Sequence, residues 1–250
     1  MPTHDNPIIH IVLNGKGGIG KSTLATMLAQ WKVELAPGCV TCIDTDPING
    51  TFAAYTSLDV HRVEIMEDNN INPRRFDEIV ELIMAHQHDA VIDAGATSFV
   101  ALAHYMITNQ IPALFHELER TLVVHVPVVG GPAFLDTLKG FHDLVRQFPD
   151  PCRIVVWLNP YFGPIRQDGK EFEDMNVYVD NRDRVAAIIT LPTLQADTFG
   201  FDLRTLLEAR RTFYEAINDT GTGVVPRQRL RIIRQKIFTQ LDAAADEGIL

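Results

Sequence analysis

Apolar residues fall along this chain in two rhythms. Short continuous runs, "PIIHIVLN" (7–14), "CVTCID" (39–44), "DAVID" (89–93), "TLVVHVPV" (121–128), "RIVVWLN" (153–159) and "RVAAIITL" (184–191), read as strands buried on both faces. Between them the period lengthens. Leu24, Leu28, Trp31 and Leu35 stand at spacings of 4, 3 and 4 within 22–35 and line one helix face, which "APG" (36–38) stops. Phe76, Ile79, Val80 and Ile83 form a second stripe within 72–87, behind a proline near its start. Residues 98–119 and 133–147 carry further helical patterns, and the chain from 202 onward is mainly helical. Apolar strands alternating with helices predict an α/β fold, a mostly parallel central sheet with helices on both faces. No repeat of about 20–50 residues is present, and no linker rich in Gly, Ser or Pro divides the chain. Residues 1–250 are therefore expected to form one domain with a helical C-terminal tail over about 202–250.

Where the first strand meets the first helix, "NGKGGIGKST" (14–23) contains four glycines and two lysines. Gly15 to Ser22 fits G-x-x-x-x-G-K-[ST] without a mismatch, in the strand-then-helix setting that the motif requires. Glycines let successive backbone N–H groups turn toward phosphate oxygens, and the helix N-terminus adds unpaired donors and a positive dipole end. Gly15, Gly17, Gly18, Gly20, Lys21, Ser22 and Thr23 are thus the expected phosphate cradle. Lys21 is expected on the β- and γ-phosphates and the Ser22 hydroxyl on Mg²⁺. Acids at neighbouring strand ends should complete such a site. Asp93 closes an apolar strand and is followed by the small residues "AGA", which suits a Walker-B metal contact. Asp44 and Asp46, two apart in "IDTDP", can face the same way from a strand end. One could hold water near the metal and the other orient the attacking water. Each of these acids also suits a plain strand-terminal turn.

Together, "KGGIGKST", "CIDTDP" and Asp93 resemble the ParA/MinD class of ATPases, which carry a deviant Walker A motif. That resemblance gives Lys16 a role: in a nucleotide-dependent homodimer it would reach across to the partner's phosphates, as an arginine finger does. It also implies that Asp46 supports hydrolysis, that Asp44 sits near the metal, and that Asn159 and Pro192 lie beside the adenine. Pro-Tyr-Phe follows Asn159 where guanine selection commonly uses Lys-x-Asp, so ATP is expected over GTP. A closer likeness spans nearly the whole chain. "CIDTDPINGTFAAY", "AVIDAGATSFVALAHYMITNQIPAL", "VVWLNPYFGPI" and "RQRLRIIRQKIFTQLDAAA" are similar to the TraL-type proteins of conjugative plasmids, ParA-like ATPases encoded with DNA-transfer genes. The ParA/MinD class usually has Asn-Gly-Ala after the Walker-B acid, where this chain has Ala94-Gly95-Ala96.

Composition narrows the partners. Hydrophobic residues are 46% and the formal net charge is −10, which fits a globular protein and not a uniformly basic nucleic-acid binder. No apolar run is long enough to cross a membrane and no secretory leader is evident, so a cytoplasmic location is expected. Cys39, Cys42 and Cys152 lack a second ligand pair at metal spacing and are expected as buried, reduced thiols. The tail reverses the charge: "VPRQRLRIIRQKIFTQL" (225–241) carries Arg227, Arg229, Arg231, Arg234 and Lys236 and no acid. With Leu230, Ile233, Ile237 and Leu241 as an apolar stripe, this reads first as a helix packed on the sheet. A non-specific DNA contact is the alternative, and a membrane-surface helix is disfavoured. The expected function is a dimeric ATP switch that acts with a protein partner in plasmid DNA transfer or partition. The rival classes are a MinD-like membrane-cycling positioner and a small-molecule ATP-dependent enzyme.

Overall fold

The computed structural model describes residues 6–250. The six apolar runs form strands, and a seventh joins them. In chain order these are β1 (Ile8–Val12), β2 (Val40–Asp44), β3 (Val60–Arg62), β4 (Asp89–Asp93), β5 (Thr121–Val129), β6 (Arg153–Asn159) and β7 (Val185–Thr190). They pair in the order β7-β6-β5-β1-β4-β2-β3, and every pairing is parallel. β3 escaped the sequence reading because it is three residues long at the sheet edge, with His61 and Arg62 exposed. It offers no apolar run.

The helices divide between the two faces. α2 (Phe76–Met84), α3 (Phe99–Thr108), α4 (Ile111–Glu117) and α5 (Phe134–Gln147) cover one. There Phe76, Leu102, Phe115 and Phe141 pack on Ile9, Ile11, Ile92 and Val124. α1 (Lys21–Leu35), α6 (Phe201–Glu208), α7 (Phe213–Asn218) and α8 (Val224–Asp246) cover the other. There Leu24, Leu28, Trp31, Ile233 and Ile237 pack on Ile8, Val12, Val123 and Trp157. The tail therefore shares a core with the sheet, and the Trp31 indole donates to Asp242 across α1 and α8 at 2.8 Å.

Three expectations are corrected. The pattern over 98–119 is two helices: Gln110 adopts φ 53°, and Pro112 occupies the first turn of α4. A left-handed residue ends one helix, and a proline is tolerated only at the start of the next. Leu35, assigned to the buried face of α1, is 46% exposed in the helix's last turn. Cys39 is exposed and precedes β2, whereas Cys42 and Cys152 are buried free thiols, each pushed up to about 12 chiefly by burial.

One polar chain crosses the α1/α8 face. Trp157 Nε1 donates to His125 Nδ1 at 2.9 Å, and His125 Nε2 lies 3.0 Å from His10 Nδ1. An indole can only donate, so neutral His125 carries its proton on Nε2 and passes the bond on to His10. Burial holds both imidazoles well below their usual range, His125 at about 3.

Candidate functional site

Strand order reverses between β1 and β5, since β1 leads toward β2 on one side and β5 toward β6 on the other. Open parallel sheets bind ligands at such a switch point, outside the carboxyl ends of the strands. The loop Asn14–Gly20 occupies it, and α1 opens directly behind. Gly18 and Gly20 adopt φ 72° and 93°, and Gly20 is the left-handed N-cap of α1. A side chain at either would be strained. Asn14 anchors the loop's root: its side chain donates to the Pro127 carbonyl at 3.0 Å and accepts from the Lys16 N–H at 3.1 Å.

Lys21 is buried at 7% exposure, and its ammonium folds back to donate to the Lys16 carbonyl at 2.8 Å. Burial lowers its pKa, offset in part by Asp93 and Asp46. Asp93 ends β4 with 1% exposure, and neither carboxylate oxygen has a well-formed hydrogen bond among the described residues. Burial raises its carboxyl to about 7, the neighbouring Ser22 hydroxyl opposes this, Asp44 adds to it, and Lys21 opposes it. An unpaired buried carboxylate beside a hydroxyl and an ammonium suits a hard cation, since Mg²⁺ prefers oxygen ligands. Among the described residues no three His, Cys, Asp or Glu side chains converge as a complete cage.

Asp44 and Asp46 differ from each other. Asp44 is fully buried and accepts from the Asp46 and Ala53 backbone N–H groups at 2.9 and 2.8 Å, one on each oxygen. It shapes the loop that carries Asp46. Asp46 is half-buried, and its Oδ1 accepts from the Ile48 and Asn49 N–H groups at 2.9 and 3.1 Å. Gly95 lies against it: a Cβ there would sit 2.9 Å from the Asp46 carboxyl carbon. In "AGA" it is therefore the middle residue whose identity this close approach fixes.

Lys16 faces outward. Its side chain is 43% exposed, and its ammonium pairs with Asp136, in the first turn of α5, at 2.7 Å. Sequence spacing gave no sign of this pair, whose members are 120 residues apart.

On the β6/β7 side a cleft of about 700 Å³ opens beside the loop, lined among others by Gly20, Thr23, Asn159, Pro192, Arg204 and Glu208. Asn159 and Pro192 thus meet the phosphate loop in one concavity, of a size typical for a small-molecule ligand. The Asn159 amide is already engaged: it donates to the Ile19 carbonyl at 3.3 Å and accepts from the Tyr161 N–H at 3.1 Å. The following loop is locked to its neighbour. A Cβ on Gly130 or Gly131 would strike the backbone of Phe162 and Gly163.

The basic tail is partly neutralised within the chain. Arg229 pairs with Asp202 at 2.7 Å and Arg234 with Glu34 of α1, while Arg231 and Lys236 remain exposed.

A seven-stranded parallel sheet with this loop at its switch point defines a P-loop ATPase fold of the ParA/MinD kind. The chain superposes on a ParA family ATPase from Chlorobium tepidum with a TM-score of 0.52 at 13% identity, covering 96% of this chain and 98% of that one. It superposes on the cell division protein MinD of Aquifex aeolicus with a TM-score of 0.53 at 14% identity, covering 94% and 96%. At that identity the likeness is one of fold. No family model matches the chain. Two Escherichia coli proteins named TraL are 50% and 49% identical to it over 237 residues, 95% of this chain and 98% of each of theirs. The chain belongs to the TraL family. Among the described residues no helix is long and apolar enough to cross a membrane.

Proposed function

We propose that this protein binds ATP with Mg²⁺, hydrolyses it as a nucleotide-dependent homodimer, and uses that cycle in conjugative transfer or partition of plasmid DNA. The observation that carries the nucleotide reading is the inner corner of the loop. Lys21, Ser22 and the unpaired buried Asp93 converge there under a run of glycines. In this reading the backbone of Gly15, Gly17, Gly18 and Gly20 cradles the phosphates, with Thr23 beside them. Lys21 exchanges the Lys16 carbonyl for the β- and γ-phosphate oxygens. Ser22 and Asp93 hold Mg²⁺, with Asp44 behind them fixing the Asp46 loop. Mg²⁺ held by these residues would supply positive charge to the phosphates. Asp46 orients the water that attacks the γ-phosphorus, and Asn159 and Pro192 flank the adenine.

The dimer reading rests on the rim. Lys16 is the loop's outward cation, and Ile48, Val100 and Leu135, on the segments that follow β2, β4 and β5, are 67%, 72% and 62% exposed. A second copy seated there would cover apolar surface and receive Lys16 at its own phosphates. The transfer role rests on the TraL relatives, with which this chain shares half of its aligned residues. A plasmid-transfer protein is the expected partner, the cytoplasm the expected location, and Arg231 and Lys236 the cations left for a DNA backbone. The whole chain, tail included, acts as one unit.

Calorimetry with Mg²⁺ tests the nucleotide reading. Lys21→Ala should weaken ATP binding by about two orders of magnitude or more, because it leaves the phosphate charge without its main counterion. Equal affinity for variant and wild type would remove the phosphate-loop reading.

A further inference from the structure

The cleft beside the phosphate loop needs a side chain that recognises the base, and the residue first expected there is engaged elsewhere. Asn159 spends its amide on Ile19 and Tyr161, joining the loop to the β6 end. Arg210, also on the wall, donates to the Leu207 carbonyl at 3.0 Å and reaches the Tyr55 hydroxyl. Two charged groups on the wall differ from these. Arg204 and Glu208 stand one turn apart on α6, both line the cleft, and both are exposed to its solvent. At this spacing opposite charges can pair, although Arg before Glu is the less favourable order. Here they do not, and among the described residues neither has another ion-pair or hydrogen-bond partner. The rest of the wall is largely apolar, with Leu191, Leu194, Leu203 and Leu207 available to a flat ring.

A carboxylate can only accept hydrogen bonds, and a guanidinium is planar and stacks on aromatic faces. Given the ATP reading above, on which this inference rests, we infer that Glu208 reads the nucleobase. Its carboxylate accepts a hydrogen bond from the exocyclic amine of a 6-aminopurine, while Arg204 covers the ring. A 6-oxopurine in the same pose would turn a carbonyl oxygen toward that carboxylate and be disfavoured, whereas a guanine turned to offer its N1–H and 2-amine would show itself as a preference for GTP. Adenine is thus selected by a side chain of α6, without the Lys-x-Asp element after β6.

Binding of ATP, GTP and purine riboside triphosphate, which lacks the amine, separates the possibilities when measured with Mg²⁺ on wild type, Glu208→Ala and Glu208→Gln. Wild type should favour ATP over both analogues by about tenfold, the scale of one hydrogen bond to a charged acceptor. Glu208→Ala should bind ATP and purine riboside triphosphate alike, at the wild-type affinity for the latter. Glu208→Gln, whose amide carbonyl still accepts, should retain part of the preference. A preference undiminished in Glu208→Ala, or GTP bound more tightly than ATP by wild type, overturns the assignment while leaving the phosphate loop intact. No binding of any triphosphate by wild type overturns the ATP reading, and this one with it.

Discussion

The two lysines of the phosphate loop are five residues apart and live in opposite surroundings. Lys21 is buried, bonded to the loop's own backbone, and faces Asp93 and Asp46. Lys16 is 43% exposed, and among the described residues its ammonium pairs with Asp136 alone, itself 59% exposed. At the inner corner cation, hydroxyl and carboxylates are held together by packing within the chain. At the outer rim the ammonium is held by one exposed ion pair. Exposed ion pairs contribute about 0–1 kcal/mol, so Lys16 can leave Asp136 at small cost for a better anion. Burial has committed one lysine and left the other exchangeable.

The sharpest way to break that contrast is at Lys16. Lys16→Ala should bind ATP within a few-fold of wild type, since Lys21 and Asp93 are untouched. Its turnover should fall by about a thousandfold, the scale of a finger cation supplied in trans. Mixing it with Asp46→Ala should restore part of the activity. In the mixed dimer one site keeps its own Asp46 and receives Lys16 from the other chain. A phosphate-release assay in which the mixture stays inactive, while mixed dimers are seen by mass spectrometry, would return Lys16 to a role within its own chain.

Asp46 marks the boundary between the two regions. Asp46→Ala should lose about a hundredfold in turnover and little in ATP affinity, so that the ATP-bound form persists. Normal steady-state hydrolysis would show that its carboxylate serves only to cap the Ile48–Asn49 turn.

The smallest effect belongs to the inner corner and is read by pH. Asp93 has its carboxyl raised to about 7, chiefly by burial, so it is protonated below that value and charged above it. Only the charged form suits a cation. Affinity for ATP with Mg²⁺ should therefore fall about tenfold between about pH 8 and about pH 6. Asp93→Asn should bind weakly throughout and show no such slope. A wild-type affinity flat over that range would remove Asp93 from the metal contact.

What the sequence made legible followed from contiguity. The phosphate motif is one stretch of ten residues, and its strand-then-helix setting was readable from the apolar runs on either side. Six strands announced themselves by being buried on both faces. β3 could not, because a three-residue edge strand ending in exposed His61 and Arg62 has no hydrophobic signature. The break inside 98–119 falls at "NQIP", where the apolar period continues across it and masks the change of helix. In the site, the hidden parts are those made by packing. Asp136 meets Lys16 from 120 residues away, Gly95 is fixed by Asp46, and Arg204 and Glu208 join the phosphate loop in one cleft through the packing of α6 against α8. The tail taught the same lesson. Five cations without an acid left a DNA contact open beside the packed-helix reading, and packing brings in Asp202 and Glu34, supplied by α6 and α1, to take up Arg229 and Arg234.

The contact of Gly130 and Gly131 with the Phe162–Gly163 backbone makes two connections into one joint. One of them, after β6, carries Tyr161 and Phe162 on the cleft wall; the other, after β5, leads straight into α5 and Asp136. A side chain at Gly130 or Gly131 would displace the main chain of the segment after β6. Across descendants of this protein the two segments should therefore change in step, and grafting one loop from a relative without its mate should fail even where every side chain that touches nucleotide is kept.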